Sequence, residues 1–126
     1  MTLKIQNQDI YEEEVISVTY HNKKEIIFEI SKDNEVFDLN VCLFYKEDGN
    51  DKWLEYIEVN SEEVYSSEYN ERKEVYSDLI DFIDTTIVEQ FEDSDNKEIV
   101  SITEGIVDKI QEVIEGEDII VDYDCC

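Results

Sequence analysis

The chain has 126 residues and a formal net charge of −25, from 35 acidic residues against 10 Lys and Arg. A field of that sign repels nucleic acid and anionic membranes and attracts basic protein surfaces, so direct binding to either polyanion is excluded as a first reading. With 41% apolar residues, eight Tyr, five Phe and one Trp, the composition also argues against intrinsic disorder, which accompanies high charge when aromatic and β-branched residues are scarce, and a single folded domain is expected.

Near the N-terminus Leu3 and Ile5 alternate with polar residues, a pattern that fits a short edge strand or a frayed end. Residues 14–20, EVISVTY, alternate as a strand does. His21-Asn22-Lys23-Lys24 reads as a polar turn, after which 25–31 resumes with Ile26, Phe28 and Ile30 on one face, completing a hairpin. Beyond SKDNE the longest strand runs over 36–46. It sets Phe37, Leu39, Val41, Leu43 and Tyr45 on one side and Asp38, Asn40 and Cys42 on the other. Asp48-Gly49 is a strong turn signal, and 53–59 offers a fourth strand with less regular alternation.

After Val59 the apolar period changes from two to 3.6. Residues 62–92 read as one long helix, with Asn60, Ser61, Ser66 or Ser67 as its N-cap and Tyr69, Tyr76, Leu79, Ile80, Ile83, Ile87 and Phe91 on its buried stripe. Residues 93–96 break it. Asp95 and Glu98 have capping-box spacing for a second helix over 97–115. Its stripe is Ile99, Ile102, Ile106, Ile110 and Val113, widened by Val107 and Ile114, and Gly116 is placed to end it. A last strand at 118–123 is placed to rejoin the sheet. The order ββββααβ implies an α+β domain, a mostly antiparallel sheet of four to five strands with two helices packed on one face. Proline is absent and glycine occurs only at 49, 105 and 116, so no flexible linker divides the chain.

Signals for catalysis are poor. The chain has no glycine-rich phosphate loop, no G-x-S-x-G elbow and no H-E-x-x-H. The only histidine, His21, falls in the expected hairpin turn, and Cys42 lies mid-strand with no histidine placed to activate it. Cys125 and Cys126 are adjacent and flanked by Asp122 and Asp124, which raise thiol pKa rather than activate it. Three cysteines in this arrangement form no disulfide framework and point to a reducing cytoplasm. The N-terminus has no basic start followed by an apolar run, and no stretch approaches the roughly 18 apolar residues of a membrane span. Glu71-Arg72-Lys73 has the form of the end of a nuclease signature, but it falls on an expected helix whose acidic surface repels phosphate. The oxygen-rich stretches 47–51 and 93–96 lack the EF-hand pattern. The reading is a binding protein that is not an enzyme, with no cofactor and no dedicated metal site.

The remaining signal is the placement of charge. Residues 1–52 hold 12 acids and 6 bases, a net of −6, whereas residues 53–126 hold 23 acids and 4 bases, a net of −19. On the first helix Glu71, Glu74, Asp78, Asp81, Glu89 and Glu92 line the outward face along roughly 30 Å, with Arg72 and Lys73 as the interruptions. On the second, Glu104, Asp108, Glu112 and Glu115 do the same. Duplex DNA carries one charge per about 1.7 Å of axis, so the helical half is comparable only if both helices show their acids on one side. The candidate partner-binding residues are therefore Glu71, Glu74, Asp78, Asp81, Glu89, Glu104, Asp108 and Glu112, with Trp53, Tyr56, Tyr65 and Tyr69 as interleaved aromatic anchors.

In size, composition and charge the chain resembles the phage-encoded DNA-mimic inhibitors, among them anti-restriction and anti-CRISPR proteins. The resemblance is one of general character and rests on no motif. It implies an inhibitor that occupies the DNA- or RNA-binding surface of a basic partner, such as a nuclease or another nucleic-acid-binding protein. Small acidic immunity proteins, which neutralise a cognate bacterial toxin by direct binding, share the same character. The sequence leaves the two readings side by side and the oligomeric state open.

Overall fold

A computed structural model describes residues 2–8, 14–16, 19–66, 75–92 and 97–121. In chain order the elements are β1 (Thr2–Gln8), β2 (Glu14–Ile16), β3 (Thr19–Lys32), β4 (Glu35–Asp48), β5 (Asp51–Val59), β6 (Glu62–Ser66), α1 (Val75–Phe91), α2 (Lys97–Gly116) and β7 (Ile119–Ile120). The seven strands form one sheet only five columns wide. β1 and β2 share one edge of β3, while β6 and β7 share the far edge of β5. Every pairing is antiparallel except β5 with β7, so the fold is the α+β arrangement of a mostly antiparallel sheet and two helices.

Local chemistry sets the strand connections. Asp33 and Asn34 (φ 47° and 70°) and Asn60 and Ser61 (φ 50° and 68°) each place two left-handed residues between paired strands. That is the backbone of a type I′ hairpin, whose twist matches its flanking strands. Gly49, at φ 66°, holds the first of the two loop positions between Asp48 and Asp51, where a type II′ turn demands a left-handed residue. In β5, Tyr45 pairs with Leu54 but Phe44 pairs with Tyr56, so Glu55 is an extra residue. The bulge switches the inward side chains from Leu54 to Ile57 and Val59, which accounts for the irregular alternation of this strand.

One core joins the layers. Ile26, Phe28 and Ile30 of β3, Leu39, Val41 and Leu43 of β4, Leu79, Ile83 and Ile87 of α1 and Ile99, Ile106 and Ile110 of α2 are all buried in it. The rings of Phe37 and Phe91 close it edge to face, with centroids 6.4 Å apart. The link from Phe91 to Lys97 is short, as between antiparallel neighbouring helices, and α1 and α2 pack on each other and on the same sheet face.

Four expectations from the sequence need correction. The long helix over 62–92 does not begin at 62, because Glu62–Ser66 pairs with β5 as a strand; residues 67–74, including Tyr69, lie outside the described residues. The polar turn at 21–24 is continuous strand, since His21, Asn22, Lys23 and Lys24 pair in register with Lys46, Tyr45, Phe44 and Leu43. The strand over 14–20 is instead two strands, with Glu14 paired to His21 and Ile16 to Thr19. Ile80 does not join the buried stripe and is 37% exposed, whereas Val75 is buried and begins the stripe. The second helix, by contrast, spans Lys97–Gly116, with Val113 half-buried and Thr103 added to its buried face. The left-handed turn after it falls on Asp118 (φ 55°) rather than on Gly116.

Candidate partner-binding face

The outer surface of the helix layer is acidic because each helix spends its apolar residues on the inner side. On α2 the buried residues recur from Ile99 to Ile114, and Glu104, Asp108, Glu112 and Glu115 are exposed on the opposite side. On α1, Asp81 and Glu89 are exposed and Asp78 is half-buried, flanking the stripe from Val75 to Phe91. Like charges at helical spacing cost a few tenths of a kcal/mol per pair, whereas each fully buried Ile or Leu contributes about 1.5–3 kcal/mol. Burial wins. The helices form in spite of their outer faces.

Because both helices bury their inner sides against one sheet face, their acidic ridges project from the same layer. Asp78 to Glu89 and Glu104 to Glu115 each span about 16 Å of helix, so seven carboxylates supply about one charge per 2.4 Å against about 1.7 Å for duplex DNA. α1 contains no Lys or Arg, and α2 contains only Lys97 and Lys109. Lys109 Nζ lies 3.5 Å from Glu112 Oε1, an exposed pair that moderates the ridge at that point.

Beside the α1 ridge, an open groove of about 660 Å³ runs between the helix and the β5–β6 hairpin. Asp78, Asp81 and Glu89 line one side, and Asn60, Glu62 and Glu63 line the other. One oxygen of Asp78, Oδ2, is buried there without a hydrogen-bond partner among the described residues. Asn60 is held in place from behind: its N–H donates to Asn40 O at 2.8 Å and its Oδ1 accepts from Asn40 N at 2.9 Å. Glu62 and Glu63 escaped the sequence reading because they were assigned to a helix, although Asn60, a residue tolerant of left-handed backbone, marks the turn that brings them here.

Of the eight acidic residues singled out from the sequence, Asp78, Asp81 and Glu89 meet at this groove, and Glu104, Asp108 and Glu112 form the second ridge. Glu71 and Glu74 lie outside the described residues, as do residues 93–96, Cys125 and Cys126. Tyr65 is no surface anchor, being 4% exposed in the core. Trp53 and Tyr56 belong to the opposite side of the sheet. His21 sits within β3, and Cys42 is half-buried away from the helices. Among the described residues no three His, Cys, Asp or Glu come together to hold a metal ion, and no helix is long and apolar enough to cross a membrane. No family model, curated protein or solved structure matches the chain.

Proposed function

We propose that the helix layer binds a basic, nucleic-acid-handling protein and blocks that protein's access to DNA or RNA, and that the chain acts by occupancy rather than by catalysis. One observation carries the reading: two acidic ridges stand on the same layer, together approaching the charge spacing of a duplex, with Lys97 and Lys109 the only basic residues on their helices. Asp78, Asp81 and Glu89 form the first contact line and Glu104, Asp108 and Glu112 the second. The groove walls Glu62 and Glu63 extend the first line toward the sheet. Attraction of this kind is mainly electrostatic, so it speeds encounter and weakens as the Debye length falls from about 10 Å at 0.1 M salt to about 3 Å at 1 M.

Capture of partners with the full chain as bait tests the reading directly. The expected partner carries a basic groove, is released by salt, and is displaced by duplex DNA or RNA competing for that groove. A restriction or CRISPR nuclease supports an anti-defence role inside the cell, a toxin encoded beside the gene supports immunity, and a partner with no basic groove refutes both. Inhibition that persists at sub-stoichiometric ratios with turnover would show modification of the partner and overturn action by binding.

A further inference from the structure

The sheet face without helices is organised in cross-strand rows of alternating character. Lys23, Phe44 and Tyr56 form one row; Glu25, Cys42 and Glu58 form the next; Ile27 and Asn40 follow. The Phe44 and Tyr56 rings stack with centroids 4.2 Å apart and planes 18° apart, and Lys23 Nζ lies 5.9 Å from the Phe44 centroid. Ile27, Cys42, Phe44 and Tyr56 are half-buried on the side of the sheet away from the helices. Burial, reinforced by Glu25, pushes the Cys42 thiol up to about 11, so it stands there as a small neutral group.

We infer that this face is a self-association surface. A second copy docks sheet on sheet about a two-fold axis running across the strands, laying the Lys23–Phe44–Tyr56 row of each copy over the Glu25–Cys42–Glu58 row of the other. Charge selects this arrangement: the first row carries +1 and the second, which Glu63 opposite Glu58 extends, −3, and a two-fold that reverses the rows sets unlike charge on unlike. An axis along the strands fails, because it sets like row on like row and opposes Glu25 to Glu58. The chosen arrangement puts Phe44 and Cys42 at the centre and Lys23 against Glu25 of the second copy beside them, an apolar centre with a polar surround. Five columns about 4.8 Å apart and about 30 Å of strand offer on the order of 700 Å² per copy, close to the ~800 Å² per partner of stable interfaces. Nucleic acid stacked on the same rings is the disfavoured occupant, since Glu25 and Glu58 adjoin them in a chain of net charge −25.

Sedimentation and light scattering of the full chain decide the matter. A species of twice 14.9 kDa is expected, and it should strengthen with salt as the net charges of the two copies are screened. Complexes made through the acidic ridges have the opposite salt dependence, so failure of one idea is separable from failure of the other. Lys23→Glu and Glu25→Lys should each weaken association about tenfold or more, and the two together should restore it. Circular dichroism checks folding, and Glu58→Lys replaces Glu25→Lys if the latter unfolds. A monomer at every concentration and salt, a dimer indifferent to these changes, or an oligonucleotide that binds this face and is lost with Lys23→Glu would each overturn the inference.

Discussion

The two surfaces of this protein are made from the same residue types under different rules. On the helix layer, exposed acids repeat with only Lys97 and Lys109 between them; on the open sheet face, the Lys23–Phe44–Tyr56 row adjoins the Glu25–Cys42–Glu58 row, so both signs meet around the stacked rings. The difference teaches that a net charge of −25 does not describe the molecule everywhere. Three lysines of the sheet are paired on or at the end of it, Lys23 with Glu25 and Lys24 and Lys52 with Glu117, while α1 contains no Lys or Arg and α2 only Lys97 and Lys109. In the proposed function a basic partner would meet the unneutralised layer, while the mixed face is the one proposed for contact with a second copy.

The sharpest way to break this comparison is to remove what the two surfaces share. Ile106 is fully buried between the layers, and Ile106→Ala should cost about 2–5 kcal/mol in urea unfolding, the range for deleting a buried aliphatic side chain without collapse of the cavity. Tyrosine fluorescence and far-ultraviolet circular dichroism should report one coincident transition. Separate transitions for helices and sheet would mean that the layers are stable independently.

Next in size is an effect on binding. Asp81→Lys, Glu104→Lys and Asp108→Lys combined should weaken capture of the partner about tenfold to a hundredfold, mostly through slower association. The same triple change should alter unfolding free energy by only about 0.5 kcal/mol, in either direction, because these are exposed positions. Glu47→Lys with Asp51→Lys, on the exposed end of the β4–β5 hairpin, is the control. Equal loss in the control and the triple variant would remove the localised ridges from the account.

How far these surfaces could be read in advance depended on which signal was local. α2 was legible because its stripe from Ile99 to Ile114 is a property of one segment. β4 was legible for the same reason. The stretch 21–24 was not: four polar residues look like a turn, yet Lys23 lies over Phe44, Lys24 reaches Glu117 and Asn22 is 8% exposed, all contacts supplied by residues distant in sequence. Glu62–Ser66 was read as helix because the carboxylates and Val64 fit either period, and the deciding turn, Asn60-Ser61, lacks the glycine that announces a type I′ hairpin. The groove lined by Glu62 and Glu63 followed that misreading, whereas the α2 ridge did not depend on it.

A smaller effect sharpens the contrast from the sheet side. Phe44 and Tyr56 stack at 4.2 Å, and a double-mutant cycle with Phe44→Ala and Tyr56→Ala should show coupling of about 0.5–1.5 kcal/mol in stability. A zero coupling would leave the aromatic row without energetic content. It would also weaken its claim to be the centre of an interface.

The smallest expected effect concerns an acid that belongs to neither surface. Glu117 follows α2, its N–H donating to Val113 O at 3.0 Å, and its carboxylate accepts from Lys24 Nζ at 2.8 Å while Lys52 Nζ lies 3.6 Å away. The end of α2 is thereby tied to β3 and β5 beside the short strand β7. The hydrogen bond from Lys24, opposed by partial burial and aided by the charges of both lysines, holds the Glu117 carboxyl below its ordinary 4.5. A depressed carboxyl pKa adds stability above the unfolded value, and that stability is lost as pH falls through the folded value. Because the side chain is 31% exposed, screening limits the contribution to the surface-pair range, about 0.2–1 kcal/mol. Glu117→Gln should therefore lower unfolding free energy by about that amount at pH 7, and the gap from the parent should close once the carboxyl is protonated in acid. An undiminished gap in acid would mean that shape and hydrogen bonding, rather than charge, hold this corner. Glu117 would then no longer be the acid whose charge stabilises the fold, in contrast to the ridge acids Asp81, Glu104 and Asp108.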